Sequence, residues 1–391
     1  MKRIALCLLG VVLLVSCKER QSQIDKVIEN GVEVVLNHLD PYVLSGIPST
    51  LALEEILTID TEKEEVANTG MTMMEWFCLD SDGNIYFMMR NSPGNFIYKY
   101  DADGKFVRSF GRKGQGPGEL GYGGSILFDD EGRLISKDMT EPKYLVLTPD
   151  GVLVDQVKLG LNVDILKNLG NGTFLTFWQD SDPVKPVFRN HYCIGDAMLK
   201  NNREFYEFEF DDRRAPRYVP GGSAIMIGAS DENIYVGDSR DGYVIRVFDL
   251  SGKLVRKIRK EFRPVIPSAE YKAARRRRFE QLGANGIEIL SKLSFPAHFP
   301  PFRFLFTDDE GRLFVMTNEH EGDRTYLYDI FTKDGVFIGR CRLDNVQLTL
   351  FEGRRLIDYV LDVQVKGDRL YCLREKDSGY IALTIYKMTW N

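Results

Sequence analysis

A unit of four short strand-like segments, repeated along the chain, most constrains how this sequence can fold. In residues 75–111 the apolar runs EWFCLD, NIYFMMR, FIYKYD and KFVRSFG are separated by turn sequences that include Asp82-Gly83 and Asp103-Gly104. Asp-Gly between two strand-like runs is typical of a β-hairpin, because glycine adopts the positive φ that such turns need. Comparable units follow at residues 125–159, 164–210, 224–262, 302–343 and 356–390, with 164–210 fitting more loosely than the others.

The last unit indicates how the repeats are arranged. It supplies only three strands before the chain ends, whereas the segment LALEEILTID at residues 51–60 precedes the first unit and has no partner of its own. Radial repeats protect their edges by closing into a ring, and a borrowed N-terminal strand can make that closure. A β-sandwich or β-helix would not explain the three-strand unit. The sequence therefore predicts an all-β fold, a six-bladed β-propeller of four-stranded blades whose last blade is completed by an N-terminal strand.

Residues 263–301 interrupt the repeat between the fourth and fifth units. Ser268 is a suitable N-cap for a helix over residues 269–282, which carries four consecutive arginines at 275–278. Four successive positions turn through about 300° of a helix, so these arginines cannot share one face. They fit either a solvated basic helix or a surface that binds an anionic partner. The segment FPAHFPPF at 295–302 would lie across one propeller face, where aromatic rings could also stack on a glycan.

The N-terminus reads as an export signal. Lys2 and Arg3 precede an apolar run at 4–15 that is too short to span a bilayer. The run ends in Leu-Val-Ser-Cys, which resembles a lipobox, the cleavage motif of bacterial lipoproteins. This resemblance implies a signal peptide at 1–16 and lipidation of Cys17 with diacylglycerol and a further acyl chain such as palmitate. An ordinary secretory signal is the alternative.

The lipobox sets the rest of the domain organisation. We expect a polar tether at 17–31 and the propeller at 32–391. Lys18 stands where the resemblance to inner-membrane lipoproteins would place Asp, which favours anchoring in the outer membrane, on either its periplasmic or its surface side.

Composition excludes some classes of function. The net charge is −6, which argues against a nucleic-acid binder held by a positive field. The cysteines at 78, 193, 341 and 372 lie in separate apolar runs with no CxxC pair, so structural zinc is not expected. In an oxidising compartment they could form disulfides or remain buried thiols. The four histidines, at 38, 191, 298 and 320, are scattered along the chain.

Three stretches carry a family resemblance: Asp-Gly-Asn-Ile-Tyr at 82–86, Tyr-Asp-Ala-Asp-Gly-Lys-Phe at 100–106, and Gly-Arg-Lys-Gly-Gln-Gly-Pro-Gly-Glu at 111–119. They resemble the six-bladed propeller lipoproteins of Gram-negative bacteria that are related to NHL repeats. The resemblance implies the fold and the envelope location. It implies little about activity, because most members have none assigned.

The glycine-rich loop at 111–120 is the first candidate binding site. It lacks the spacing of a P-loop and leads into a strand, so a nucleotide cradle is not expected. Its backbone N–H groups beside basic side chains could hold an anion, although a turn between two blades also suits its glycines. Both this loop and the 263–301 insertion connect an outer strand to the next inner strand, which predicts that they share one face. The candidate ligand-binding residues are Arg112, Lys113, Gln115, Glu119, Arg275 and Arg276.

Calcium is a weaker candidate. The turns that begin at Asp80 and Asp101 start like calcium loops, but Asn91 and Arg112 stand where an EF-hand needs a bidentate Glu. These aspartates are better explained as hairpin-turn residues.

Together these patterns favour a membrane-anchored monomer without a cofactor, whose loop face binds a protein, a glycan or an anionic ligand without catalysis. The alternative is a lyase or lactonase that resembles other six-bladed propeller enzymes, with a metal such as calcium at the hub. An envelope assembly scaffold is a third possibility.

Overall fold

The computed structural model describes residues 24–159, 163–182, 184–185, 187–196, 202–211, 225–281, 284–321, 325–344, 346–347, 359–360 and 362–391. The predicted signal peptide and Cys17 therefore lie outside the described residues. Six antiparallel sheets form the blades of a propeller, which confirms the predicted fold class.

The strands follow the predicted units. Three N-terminal strands come first: β1 (Asp25–Glu29), β2 (Val32–Asn37) and β3 (Leu51–Asp60). Blade 1 contains β4 (Trp76–Leu79), β5 (Ile85–Met88), β6 (Asn95–Tyr100) and β7 (Phe106–Arg112). Blade 2 contains β8 (Gly123–Phe128), β9 (Leu134–Asp138), β10 (Lys143–Leu147) and β11 (Leu153–Lys158). Blade 3 contains β12 (Asp164–Gly170), β13 (Thr173–Ser181), β14 (Val187–Asp196) and β15 (Arg203–Asp211).

The second half of the ring repeats the pattern. Blade 4 contains β16 (Ile225–Ala229), β17 (Asn233–Asp238), β18 (Val244–Asp249) and β19 (Leu254–Lys260). Blade 5 contains β20 (Phe302–Thr307), β21 (Leu313–Glu321), β22 (Thr325–Phe331) and β23 (Phe337–Asp344). A short ladder follows, of β24 (Val346–Gln347) and β25 (Tyr359–Val360). Blade 6 contains β26 (Val363–Lys366), β27 (Arg369–Glu375), β28 (Ile381–Trp390) and the N-terminal β3.

Helices are few. They are α1 (Glu64–Ala67), a 3-10 turn (Ser239–Asp241), α2 (Ala269–Glu280) and α3 (Ala284–Lys292). The last two belong to the insertion between blades 4 and 5, where the sequence predicts a helix.

The borrowed strand closes the ring as predicted. β3 pairs antiparallel with β28, from Leu51 opposite Trp390 to Asp60 opposite Ala382. Ile59 of β3 is only 2% exposed and belongs to the apolar cluster shared by blades 6 and 1. Lys376 Nζ lies 2.7 Å from Asp60 Oδ2. Burial alone would raise the pKa of Asp60, but its hydrogen bonds from Lys376 and from the N–H of Glu62 outweigh burial and lower that pKa.

The N-terminal hairpin is a feature that the sequence does not predict. β1, which lies within the predicted tether, pairs with β2, and β2 pairs in parallel with β19, so the sheet of blade 4 has six strands. Val34 and Val35 are fully buried by this packing. Asn37 then reaches blade 5, because its Oδ1 accepts the N–H of Phe337 at 2.7 Å.

Polar side chains on the inner strands link neighbouring blades around the hub. The Gln364 side chain donates to the carbonyl of Phe77 at 2.7 Å, and Thr307 Oγ1 donates to the carbonyl of Ala229 at 2.9 Å. Each such bond contributes about 1 kcal/mol. The hydrogen bonds of these side chains therefore join one blade of the ring to the next.

The aspartates at the hairpin turns accept hydrogen bonds from the backbone of those turns. Asp80 Oδ1 accepts the backbone N–H groups of Asp82 and Asn84. In the same way, Asp101 Oδ1 accepts the backbone N–H groups of Asp103 and Lys105. These bonds fit the hairpin-turn interpretation.

The cysteines at 78, 193, 341 and 372 are all buried and unpaired, so of the two predicted alternatives the structure has the thiols.

We predict that deleting residues 45–60 destabilises the whole propeller. Blade 6 then loses its outer strand, and the apolar cluster between blades 6 and 1 loses Ile59. Thermal unfolding followed by circular dichroism should show one transition at a clearly lower temperature. A deletion variant that melts like the wild type would contradict closure by β3.

A point substitution tests the same closure more gently. Ile59→Ala should lower the free energy of unfolding by about 2–4 kcal/mol, the usual cost of emptying a buried aliphatic site. Ile56→Ala on the same strand, where the side chain is 44% exposed, should cost far less. Equal costs for the two variants would mean that β3 does not pack as described.

Candidate functional site

A cleft lies at the junction of blades 4 and 5, on the end of the propeller where outer strands lead to the next inner strands. Its enclosed space is about 10 Å³, and a volume of about 270 Å³ is reached only when the open solvent at its mouth is included. Its lining residues are Tyr243, Lys260, Phe262, Arg263, Val265, Phe299, Pro300, Pro301, Thr317, Asn318, Glu319 and Asp329.

The insertion forms the walls of this cleft. The chain leaves β19 at Lys260, and the two ends of the insertion meet where the N–H of Phe299 donates to the carbonyl of Val265 at 2.8 Å. Asn318 fixes the returning segment through a 2.6 Å hydrogen bond to the carbonyl of Pro300. The apolar walls are thus held by one backbone–backbone and one side-chain–backbone hydrogen bond.

The helical part of the insertion follows the sequence prediction at its start. Ser268 caps α2, since its Oγ accepts the N–H of Tyr271 at 3.1 Å. The helix ends at Glu280, two residues before the predicted end, and α3 has no counterpart among the elements that the sequence predicts.

Asp329 is the centre of the cleft floor. It is fully buried in β22. Tyr243 Oη donates to its Oδ2 at 2.8 Å and Arg340 Nε donates to its Oδ1 at 2.6 Å. Lys260 Nζ lies 3.4 Å from Oδ2. The guanidinium of Arg340 also binds both carboxylate oxygens of Glu319, at 3.1 and 3.2 Å.

This network balances its own charges and is rigidly held. Two cations, Lys260 and Arg340, face two carboxylates, Asp329 and Glu319. Burial lowers the pKa of Lys260, and the attraction of Asp329 opposes that lowering only in part. Burial and the adjacent Asp329 raise the pKa of Tyr243. The floor therefore presents polar groups that cannot rearrange without leaving a charge uncompensated.

The predicted arginines of the insertion have two different environments. Arg275 is buried, and its Nε donates to the hydroxyl of Tyr271 at 3.2 Å. Arg276 is exposed, with its guanidinium 5.1 Å from the centre of the Phe295 ring. Phe295, part of the predicted aromatic segment, thus packs within the insertion.

The glycine-rich loop at 111–120 contains a carboxylate, that of Glu119, which binds the backbone of the loop. Glu119 Oε2 accepts the N–H of Gly116 at 2.9 Å, and a Cβ at Gly114 would lie 1.9 Å from the same oxygen. Lys113 Nζ donates to Asn91 Oδ1 at 3.1 Å. Arg112 and Gln115 are exposed. The carboxylate of Glu119 therefore occupies part of the backbone cradle that the sequence predicts as a candidate site for an external anion.

The two halves of the predicted basic surface are separated by the ring. The loop joins blade 1 to blade 2, and the insertion joins blade 4 to blade 5. Both connections are of the same type, from an outer to an inner strand, but in a ring of six blades these junctions are on opposite sides.

Sequence reasoning did not find the residues of the cleft floor. One signal was present: Asp329 interrupts the apolar run TYLYDIF of β22. An ionised side chain in the middle of a core strand needs a partner, so this position could have been flagged. Its partners could not have been named, because they come from two other strands, β19 and β23, and from the turn before β18.

Among the described residues, one group of three side chains could hold a metal ion: His191, Glu204 and Glu207. It lies on β14 and β15, the outer strands of blade 3, and not at the hub. No helix within the described part of the chain is long and apolar enough to cross a membrane.

Comparisons with known proteins identify the fold alone. No protein-family model and no curated protein matches the sequence. A solved member of the DUF4221 family from Bacteroides vulgatus is similar, with 11% identity, a TM-score of 0.52, and coverage of 88% of this chain and 100% of that one. A putative exported protein from Bacteroides fragilis has 11% identity, a TM-score of 0.47, and coverage of 91% and 99%. A gluconolactonase from Xanthomonas campestris has 10% identity, a TM-score of 0.41, and coverage of 88% and 97%.

We predict that Asp329→Ala destabilises the protein by about 3–5 kcal/mol, because it leaves Lys260 and Arg340 buried without their common partner. Chemical denaturation measures this change. Asp334→Ala, at a position 64% exposed on the following turn, is the matched control and should change stability by less than about 0.5 kcal/mol. Similar values for both variants would contradict the described floor.

Proposed function

We propose that this protein is an exported envelope lipoprotein whose propeller binds, without catalysis, an anionic ligand or the anionic end of a partner in the cleft covered by the insertion. The observation that carries this proposal is the cleft itself, which combines apolar walls with a fixed polar floor. Recognition sites for small ligands have this composition.

The charge at the mouth supports an anionic ligand. The floor is balanced, whereas Arg263 at the rim is exposed and makes no ion pair within the described residues. Arg276 and Arg277 are exposed on α2 of the same insertion. These exposed cations of the insertion are the groups that we expect an anionic ligand to contact.

The size of the cleft limits what can enter it. Its enclosed space is about 10 Å³, which is room for about one water molecule. A ligand would therefore bind mainly across the open mouth, with one small terminal group of a glycan, lipid or peptide directed inward.

The hydrogen bonds of the floor support binding over catalysis. Both oxygens of Asp329 accept bonds, from Tyr243 and Arg340, and both oxygens of Glu319 face the guanidinium of Arg340. A general base takes a proton from the substrate. Protonating either carboxylate here would weaken its existing hydrogen bonds to Tyr243 or Arg340.

We predict that Arg263→Ala combined with Arg276→Ala weakens ligand binding by tenfold or more. Each charged hydrogen bond is worth about 1.5–3 kcal/mol, and both side chains are exposed, so the free energy of unfolding should barely change. Arrays of acidic glycans and anionic phospholipids, with a salt titration, are the screen.

Arg112→Ala with Lys113→Ala is the matched control, since it removes two exposed cations from the opposite side of the same end. It should leave binding unchanged. If this loop variant loses binding and the insertion variant does not, the site is at residues 111–120 and the cleft is not the binding site.

The lipid anchor has its own test. Cys17→Ser should abolish globomycin-sensitive processing and partitioning into the detergent phase, because the acyl chains that hold the protein on the membrane have no attachment atom. A variant that still partitions with detergent would contradict lipidation at this residue.

A further inference from the structure

We propose that His191, Glu204 and Glu207 on the outer strands of blade 3 bind a divalent transition-metal ion, with Asp180 as the partner that orients the imidazole. This site is separate from the cleft and from the hub. It is assigned from three observations about the strands that carry it.

The first observation is the strand geometry that brings the two glutamates together. Side chains three apart normally point to opposite faces of a strand. A β-bulge where Tyr192 and Cys193 face β15 inserts Phe205 as an extra residue. Phe205 and Tyr206 consequently both pack on the blade 4 side. Glu204 and Glu207 then both face the imidazole of His191, and bulges re-aim side chains in this way beside functional sites.

The second observation is the distances. His191 Nδ1 lies 2.7 Å from Glu204 Oε2 and 3.7 Å from Glu207 Oε2, and ligand atoms of the three residues lie within 4.8 Å of one another. Metal–ligand bonds of about 2.0–2.2 Å in tetrahedral geometry separate ligand atoms by roughly 3.3–3.6 Å. Small side-chain movements bring all three atoms to one ion.

The third observation is a buried nitrogen that lacks a partner. His191 is 7% exposed, and its Nε2 makes no hydrogen bond although it lies 3.6 Å from Asp180 Oδ2. If Nδ1–H donates to Glu204, Nε2 carries a lone pair that faces a carboxylate. A metal ion on Nδ1 moves the proton to Nε2, which then becomes a donor to Asp180.

That arrangement is a known feature of metal centres. Ligating imidazoles usually donate their other N–H to a carboxylate, which fixes the ring and its tautomer. Asp180 is itself held by Arg189, at 3.0 and 3.3 Å. Trp178 stacks on the imidazole with ring centres 3.9 Å apart and an angle of 10°, so the ring plane is set before any ion arrives.

The ligand set indicates the kind of ion. One imidazole and two carboxylates suit zinc or manganese better than calcium, which takes six to eight oxygen ligands. Side-chain exposure of 45% and 48% for Glu204 and Glu207 leaves room for a water molecule as a further ligand.

Equilibrium dialysis of the full mature chain in detergent, with zinc, manganese or calcium alone, tests the site. We expect one zinc or manganese ion per chain. Glu204→Gln and Glu207→Gln should each weaken binding at least tenfold, and Asp180→Asn by about 10–100-fold. Glu209→Gln, an exposed glutamate on the same strand, should bind like the wild type.

Fluorescence gives a second readout that does not depend on the stability of these variants. Ni²⁺ should quench the emission of Trp178, and Trp178→Phe should remove this quenching while still binding one ion in dialysis. Absence of stoichiometric binding, binding that Glu204→Gln and Glu207→Gln do not weaken, or quenching that persists in Trp178→Phe would overturn the proposal.

Discussion

Pairing of β3 with β28 is the interaction on which the rest of the structure depends. It joins an N-terminal strand to the last strand of the chain and completes blade 6 as a four-stranded sheet. Before it reaches this pairing, the chain also crosses blades 4 and 5. There Asn37 Oδ1 accepts the N–H of Phe337, and the N–H of Tyr42 donates to the carbonyl of Phe337. Residues 25–60 therefore hold blades 4, 5 and 6 together from outside.

Residues 25–60 also stabilise the cleft, which lies where blades 4 and 5 meet. The carbonyl of Asn37 accepts the N–H of Glu261, at the point where the insertion begins. The junction is thus fixed on its outer side by β2 and on its inner side by Thr307. A cleft between two blades keeps its shape only if the blades do not move apart, and these contacts supply that constraint. The buried network around Asp329 needs the same constraint, since ion pairs in a low-dielectric interior depend on precise geometry.

Local signals in the sequence predict the blades and the capped start of α2: turn residues, alternating apolar runs and a serine before a helix. The borrowed strand is predicted from the number of strands, because the last unit lacks one. The N-terminal hairpin was not predicted, because the polar sequence before Val32 gives no sign that a parallel neighbour is available. The cleft floor could not be predicted either, since Tyr243, Lys260 and Asp329 meet only when two blades are in place. Strict alternation of side chains along β15 would place Glu204 and Glu207 on opposite faces of the sheet. The bulge places them on the same face.

The central claim is that ligands bind at the insertion-covered cleft, and hydrogen exchange tests it most directly. Once an anionic ligand is found, exchange of the backbone amides should be measured by mass spectrometry with and without it. The account predicts added protection at residues 261–265, 299 and 317–319, with no change at 111–120. Protection confined to 111–120, or spread evenly over all six blades, would contradict it.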